Sequence, residues 1–371
     1  MLKGRKYRIY PDKSQKDLLN KHINNCRFIY NLSLETKISA YLGNKFIYSS
    51  FDLIKQLPEL KKEFIWLKET NSQSLQQSII NMDIAYKRFY SGSGFPKFKS
   101  KKHKQSFQIP QRIKIQDNKL IIPNFKEGIK IILHRPINGI IKNVTITLTS
   151  SGKYYASILI EDNKILPNKS KIDKNNTIGI DLGLKSFVVT SKSDIYLYNE
   201  FLRKAQLKLK FLQSKYSKYK GKNTKQKIAI LHEKVMNQRK DFLHKLSTKL
   251  ISENQTICLE NLGIKNMIKN HNLALSITDV SWGTFINMLE YKANWYGKNI
   301  IKIDKFAPSS KTCSNCGIIN NNLTLNDRKW RCNCGSLHER DINAAINIKN
   351  FGLNIKLSTE HRQKIKKSCL Q

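Results

Sequence analysis

The stretch from Cys313 to Ile348 restricts the possible folds of this chain more than any other. It reads CSNCG, then a short insert, then WRCNCGSLHERDINAAINI. Two cysteine pairs close a few residues before an acid, Asp341, that opens a small-residue helix. Cys313-x2-Cys316 is followed after 15 residues by Cys332-x-Cys334. Cys₄ sites of this loop length typically hold tetrahedral Zn²⁺ in a closed structural role. Such small ribbons often cannot bury a core alone, so metal binding and folding are coupled. The second pair is one residue shorter than the usual CxxC. His338 stands nearby and is read as a non-ligand; free thiols are the alternative to a metal site. The other three of the seven cysteines, Cys26, Cys258 and Cys369, are scattered, which suits a reducing cytosol and not a disulfide framework.

Charge narrows the partner. Over 371 residues, 67 Lys and Arg stand against 27 Asp and Glu, a formal net charge of +40. A surplus of that size points to a polyanion, with nucleic acid ahead of an anionic membrane. There is no apolar window of 18 residues or more to span a bilayer, and MLKGRKYRIYPDKSQ has no apolar core of a secretory signal. At 40% hydrophobic, the chain can build two or three lobes.

Along the chain, KYRIY (6–10) alternates as a strand, and Pro11-Asp12 makes a turn. Residues 14 to 41 carry apolar positions at helical spacing, and a helical pair is predicted over 50–68 and 72–90. SGSGFP (91–96) is a loop followed by the basic run KFKSKKHKQSF. Residues 107–160 alternate as a series of strands, and 162–176 form a polar linker. The second half changes character: TIGIDLGLKSFVVTS is a buried strand with SDIYLYN as its hairpin partner. Residues 201–250 form long basic helices, QTICLEN another buried strand, 281–297 a helix and KNIIKIDKF a strand.

Three acids stand out against this background. Asp181 lies inside the apolar string IGIDLG, and Glu260 ends TICLE. A carboxylate among such neighbours needs a metal or a cation as partner. Asp341 opens a helix, where negative charge is tolerated. Singly, each has a plainer reading. GIDLG also fits the actin and sugar-kinase ATPase fold, Glu260 an ion-paired strand end, and Asp341 a helix cap. Together, strand acid, strand acid and helix acid follow the order of an RNase H-like nuclease core. Three such carboxylates hold two Mg²⁺ ions roughly 3.5–4 Å apart, and hard cations of this kind take oxygen ligands.

The basic helices present apolar positions on one side (Leu207, Leu209, Leu212, Ile228, Ile230, Leu231, Val235, Phe242, Leu243, Leu246, Leu250) and cations on the other. Acids are rare there, which favours phosphate contact over a mixed-sign solvated face. In the N-terminal helices, Tyr48, Ser72, Gln73, Gln76 and Gln77 are uncharged polar residues suited to base-edge contacts, though such residues are common on any helix.

These strings together resemble the TnpB family of insertion-sequence-encoded RNA-guided nucleases, related to type V CRISPR effectors. The resemblance covers nearly the whole length. It is carried by KYRIYPDKSQKDLLNKHINNCRFIYN, LQQSIINMDIAYKRFY with GFPKFKSKK, IGIDLGLKSFVV, CLENL, LALSITDVSWGTFINMLEYKANWYG, the CSNCG/CNCG ribbon and ERDINAAINI. It implies an α/β multidomain protein with an RNase H-like (RuvC) nuclease domain over 172–310 and 336–355 and a zinc ribbon inserted over 311–335. It further implies a β-barrel-like wedge domain over 1–10 and 104–165, a helical recognition domain over 11–103, and a basic tail over 356–371. Asp181, Glu260 and Asp341 would be the catalytic acids and Mg²⁺ ligands, and Cys313, Cys316, Cys332 and Cys334 the Zn²⁺ ligands. LALSITDVSW would gate the catalytic groove, and Tyr48, Ser72, Gln73 and Gln76 would read a short motif beside the target. The implied activity is RNA-guided cleavage of double-stranded DNA by a monomer carrying one guide RNA in the prokaryotic cytosol or nucleoid, with no membrane involvement. The competing expectations are an RNA-guided DNA-binding regulator or accessory transposition protein that does not cut, and a transposase that joins strands itself.

Overall fold

The computed structural model describes residues 1–198, 200–263, 267, 269, 279–324 and 326–368, with side chains as far as Asn354. The chain divides into two compact units, Met1–Ile165 and Leu166–Gln371.

The first unit is built on a seven-stranded antiparallel sheet. Its strands are β1 (Leu2–Tyr10), β2 (Gln105–Ile109), β3 (Lys114–Gln116), β4 (Lys119–Ile122), β5 (Phe125–Ile132), β6 (Ile140–Leu148) and β7 (Tyr154–Glu161), in the order β2-β6-β7-β1-β5-β4-β3. β1 lies inside the sheet, between β7 and β5, and buries Tyr7 and Ile9 completely. It starts four residues earlier than its alternation predicts: Leu2 to Arg5 pair in register with Glu161 to Ile158, and Lys3 Nζ adds a 2.7 Å ion pair to Asp162. Helix α1 (Lys13–Asn44) opens with a capping box in which Asp12 and Gln15 satisfy each other's backbone N–H groups. The stretch 50–68, expected as one helix, is three short pieces: α2 (Ser50–Lys55), α3 (Leu57–Glu63) and a 3-10 turn (Ile65–Glu69). Pro58 has no N–H to continue a helix but is tolerated in the first turn of α3. α4 (Ser72–Tyr90) packs on α1. Leu19, Ile23, Ile79 and Met82 of these helices join Phe107, Ile146 and Ala156 of the sheet in one hydrophobic core. The helical and β segments of this half thus share their interior.

The second unit holds a five-stranded sheet of β8 (Thr177–Asp181), β9 (Ser186–Thr190), β10 (Ile195–Leu197), β11 (Thr256–Leu259) and β12 (Asn299–Lys302), ordered β10-β9-β8-β11-β12. β8, β11 and β12 are parallel, while β9 and β10 extend the β8 edge antiparallel. Parallel neighbours need crossovers. These run through α5 (Phe201–Tyr219) and α6 (Lys222–Glu253), and then through α7 (Trp282–Trp295). Ile178, Ile180, Ile257 and Leu259 pack with Leu243, Leu246, Phe285 and Leu289 of α6 and α7. The opposite face meets α8 (Arg340–Ser368). There a Cβ on Gly179 would stand 2.0 Å from the Ala345 carbonyl, and one on Gly352 would stand 2.6 Å from Cys258 Sγ. Burial on both faces explains why these strands read as continuous apolar runs. The tail predicted over 356–371 is helical through Ser368, as a continuation of α8.

The basic helices bury a narrower stripe than their sequence suggests. Leu209, Leu212 and Val235 are buried, but Leu207 is 81% and Ile230 44% exposed. Among the described residues α5 packs chiefly on α6, which covers the side facing that neighbour.

Candidate active site

Strand parity brings the acids together. Gly179 faces α8, so Asp181, two residues on at the strand end, points the same way. Cys258 of β11 also touches α8 through Gly352, and Glu260 follows it with the same parity. In the parallel register Gly179 pairs with Cys258 and Ile180 with Leu259. The next step puts Asp181 and Glu260 side by side at the carboxyl ends of adjacent strands. α8 starts at Arg340, so Asp341 is in its first turn. Ligands of open α/β sheets bind at such strand ends.

The electrostatics agree with this geometry. Burial pushes the Asp181 carboxyl up to about 7, and the negative charges of Glu260 and Asp341 push the same way; the Leu182 backbone and Arg340 oppose them. Asp341 meets the Arg328 guanidinium at 3.5 Å. Glu260 Oε1 accepts a 2.6 Å hydrogen bond from Ser309 Oγ. Burial and the charges of two neighbouring acids oppose the ionisation of Asp181, which a divalent cation taking oxygen ligands would favour.

The cysteine centre lies between β12 and α8. The four sulfurs of Cys313, Cys316, Cys332 and Cys334 all lie within 4.8 Å of one another, with Cys313 to Cys334 at 3.7 Å and Cys316 to Cys332 at 3.6 Å. A tetrahedron with Zn–S bonds of about 2.3 Å has edges of about 3.8 Å, so the thiols already fit Zn²⁺. The short second pair is accommodated by a tighter turn. Gly335 N–H donates to Cys332 O across three residues, whereas Gly317 N–H reaches Cys313 O across four. Both glycines have left-handed backbones (φ +88° and +80°), which favour the absence of a side chain. The Ser336 hydroxyl, together with its backbone, holds the Cys334 thiol down to about 6, toward the thiolate a metal requires. At Cys316 the Ile318 backbone favours the thiolate, but desolvation and the neighbouring thiols outweigh it and push the thiol up to about 12. His338 lies 3.0 Å from Cys313 Sγ through Nε2, and its ring lies tilted by 42° against Trp330, centroids 4.7 Å apart. It is buried and its pKa is lowered by that burial, which suits a neutral ring beside a sulfur ligand. β13 (Lys329–Arg331) and β14 (Leu337–Glu339) close the ribbon, and β14 runs directly into α8.

The four expected motif readers belong to the first unit. Ser72, Gln73 and Gln76 sit in the first turns of α4, and Tyr48 lies between α1 and α2, its ring edge-on to Phe46 at 4.7 Å. Ser72 and Gln76, four residues apart, share a helix face. Gln73 departs from the pattern: its Oε1 is buried without a hydrogen-bond partner. Residues 273–278 of the expected gating loop lie outside the described residues. Where the chain is described again, Asp279 is 6% exposed and takes hydrogen bonds from Arg239 Nη2 (2.8 Å), Tyr198 Oη (3.0 Å) and the Leu202 N–H (3.4 Å). Neither this network nor Ser309 was visible from sequence; a lone Asp and Arg forty residues apart carry no local signal.

Comparison with known proteins gives the class first. Residues 1–45 match the helix-turn-helix domain of the IS605 OrfB group, 157–271 match its "Probable transposase" profile, and 282–348 match the Cas12f1-like TNB domain. A Streptomyces pristinaespiralis protein named "Putative RNA-guided DNA endonuclease" is 35% identical over 94% of this chain and 89% of its own length. The Escherichia coli K12 protein InsQ, named in the same way, is 30% identical over 94% and 91%. The solved structure of a Cas12f1–sgRNA–target DNA complex matches with a TM-score of 0.57 at 17% identity, over 91% of this chain and 83% of that one, which shows a shared fold. The chain belongs to the TnpB family of RNA-guided DNA endonucleases.

Proposed function

We propose that this protein is a Mg²⁺-dependent RNA-guided DNA endonuclease of an insertion sequence. The observation that carries this reading is that Glu260, at the end of the neighbouring parallel strand, and Asp341, in the first turn of α8, lie near enough to Asp181 for their charges to add to burial in raising its pKa. The relatives' names support the guided chemistry. In this reading, residues 172–310 and 336–355 form a RuvC-type nuclease domain around a zinc ribbon at 311–335. The three acids hold two Mg²⁺ ions. When bound, Mg²⁺ supplies an activated water and stabilises the leaving 3′-oxygen. Asp181 must shed its proton to ligate. The cysteine centre holds Zn²⁺ and fixes the entry of α8. A guide RNA derived from the transposon end pairs with one strand of double-stranded DNA. Sequence specificity then comes from base pairing, and the protein needs mainly phosphate contacts, which a net charge of +40 supplies. Tyr48, Ser72, Gln73 and Gln76 read the short adjacent motif. The protein acts as a monomer with one RNA in the prokaryotic cytosol.

The test is to purify the protein with RNA from its native locus, sequence that RNA, and offer the matching DNA with Mg²⁺. Cleavage by the wild type, and binding without cleavage by Asp181→Ala, is the expected result. Identical behaviour of the two proteins would end the nuclease reading. Binding without cutting by both would favour a regulator, and strand-transfer products with transposon-end DNA would favour a transposase.

A further inference from the structure

Glu260 is held by more than its own strand. Ser309 Oγ donates to Glu260 Oε1 at 2.6 Å, and Ser309 is 5% exposed. The Ser309 carbonyl in turn accepts a 2.8 Å bond from Asn347 Nδ2, which also donates to Thr312 O at 2.6 Å. One turn earlier on α8, Asn343 Nδ2 donates to Thr312 O at 2.7 Å, and its Oδ1 accepts from the Ser314 N–H at 3.0 Å. Both asparagines are almost wholly buried, and they follow Asp341 by two and six positions on the same helix. A buried amide is costly unless its hydrogen bonds are made, and packing α8 on the loop would need only apolar side chains. The ladder therefore fixes the 309–314 segment to the helix that carries Asp341. One end of that segment touches Glu260, and the other contains Cys313.

We propose that Ser309 is a positioning residue for the Glu260 carboxylate, and that Asn347 acts on Glu260 through Ser309. The hydroxyl occupies one lone pair of Oε1 and holds the remaining lone pairs toward the space shared with Asp181 and Asp341. The inference rests on the reading of these acids as a divalent-cation site. Outer partners of metal ligands commonly contribute 10- to 100-fold to metal affinity.

The test uses the full-length zinc-loaded protein and Mn²⁺ as the probe, with binding followed by the loss of the free Mn²⁺ electron paramagnetic resonance signal. Ser309→Ala is expected to weaken Mn²⁺ binding by about 10- to 100-fold, and Ser309→Thr, which keeps the hydroxyl, to restore it to within a few fold. Asn347→Ala is expected to weaken it in the same direction although it touches no acid. Thermal unfolding of each variant shows that it is folded before titration, and Asn347→Ala carries the test if Ser309→Ala is not. If Asp181→Ala loses Mn²⁺ while Ser309→Ala binds as the wild type does, the positioning role is overturned and the carboxylate reading stands. If Asp181→Ala also binds as the wild type does, the cation site itself fails and the positioning role fails with it.

Discussion

Replacing Asp181 by asparagine is expected to stabilise the protein in the absence of Mg²⁺. The carboxyl rises from an ordinary 3.8 to about 7 in the fold, through burial and then the charges of Glu260 and Asp341. A carboxyl with a raised pKa binds its proton more tightly folded than unfolded. Its ionisation therefore opposes folding, and stability is lost as pH rises from 3.8 through about 7. At 1.36 kcal/mol per tenfold change in proton affinity, the penalty is about 4 kcal/mol at pH 8, about 2 kcal/mol at pH 5.5, and negligible below pH 4. Asparagine resembles the protonated carboxyl in shape and carries no charge, so Asp181→Asn should recover most of this. The assay is urea unfolding of both proteins, zinc-loaded and freed of other divalent ions, across that pH range. The variant should be more stable at pH 8, with the advantage shrinking toward pH 4. Saturating Mg²⁺ should erase or reverse the order, because only the wild type gains from binding the ion. Equal stability at pH 8 without Mg²⁺ would refute the claim that burial and its charged neighbours oppose ionisation of Asp181.

Gly179→Ala should destabilise the protein by at least about 1–3 kcal/mol, since its Cβ would stand 2.0 Å from the Ala345 carbonyl and α8 cannot move without carrying Asp341 along; urea unfolding and Mn²⁺ affinity should fall together. Arg239→Ala removes the charged partner of largely buried Asp279 and should cost about 3–5 kcal/mol, with Arg239→Ala/Asp279→Asn recovering part of the loss in chemical denaturation. Removing zinc, or Cys332→Ser, should unfold the ribbon, because among the described residues its own core is Cys313, Leu323, Trp330 and Cys332; faster amide exchange there and a change in Trp330 fluorescence are the readouts.

What the sequence disclosed follows from how local each signal is. Asp181 and Glu260 were legible because a carboxylate inside an apolar strand contradicts its neighbours. The four cysteines were legible because two turns of chain bring each pair together. Their spacing could not show that Cys332 and Cys334 are close enough for a tetrahedron, since that depends on the Gly335 turn and on pairing of β13 with β14. The break at 56–57 was marked by Pro58 and still missed, because the apolar spacing on either side is helical. Leu207 and Ile230 misled in the opposite direction: a helical stripe shows which side could be buried, not whether a neighbour is there to cover it. Ser309, Asn343 and Asn347 are ordinary polar residues until the fold sets them against Glu260 and the Cys313 turn.

The third acid stands on an element formed late in the chain, and this has a consequence for synthesis. Asp181 and Glu260 leave the ribosome long before residue 341, and β8 and β11 can pair while the rest of the chain is still being made. Until α8 settles against Gly179 and Cys258 the carboxylate group lacks Asp341, so a nascent or prematurely terminated chain carries the polycationic surface but not the full proposed cation site. On the proposed reading, the order of translation delays completion of the nuclease site until residue 341 has been made.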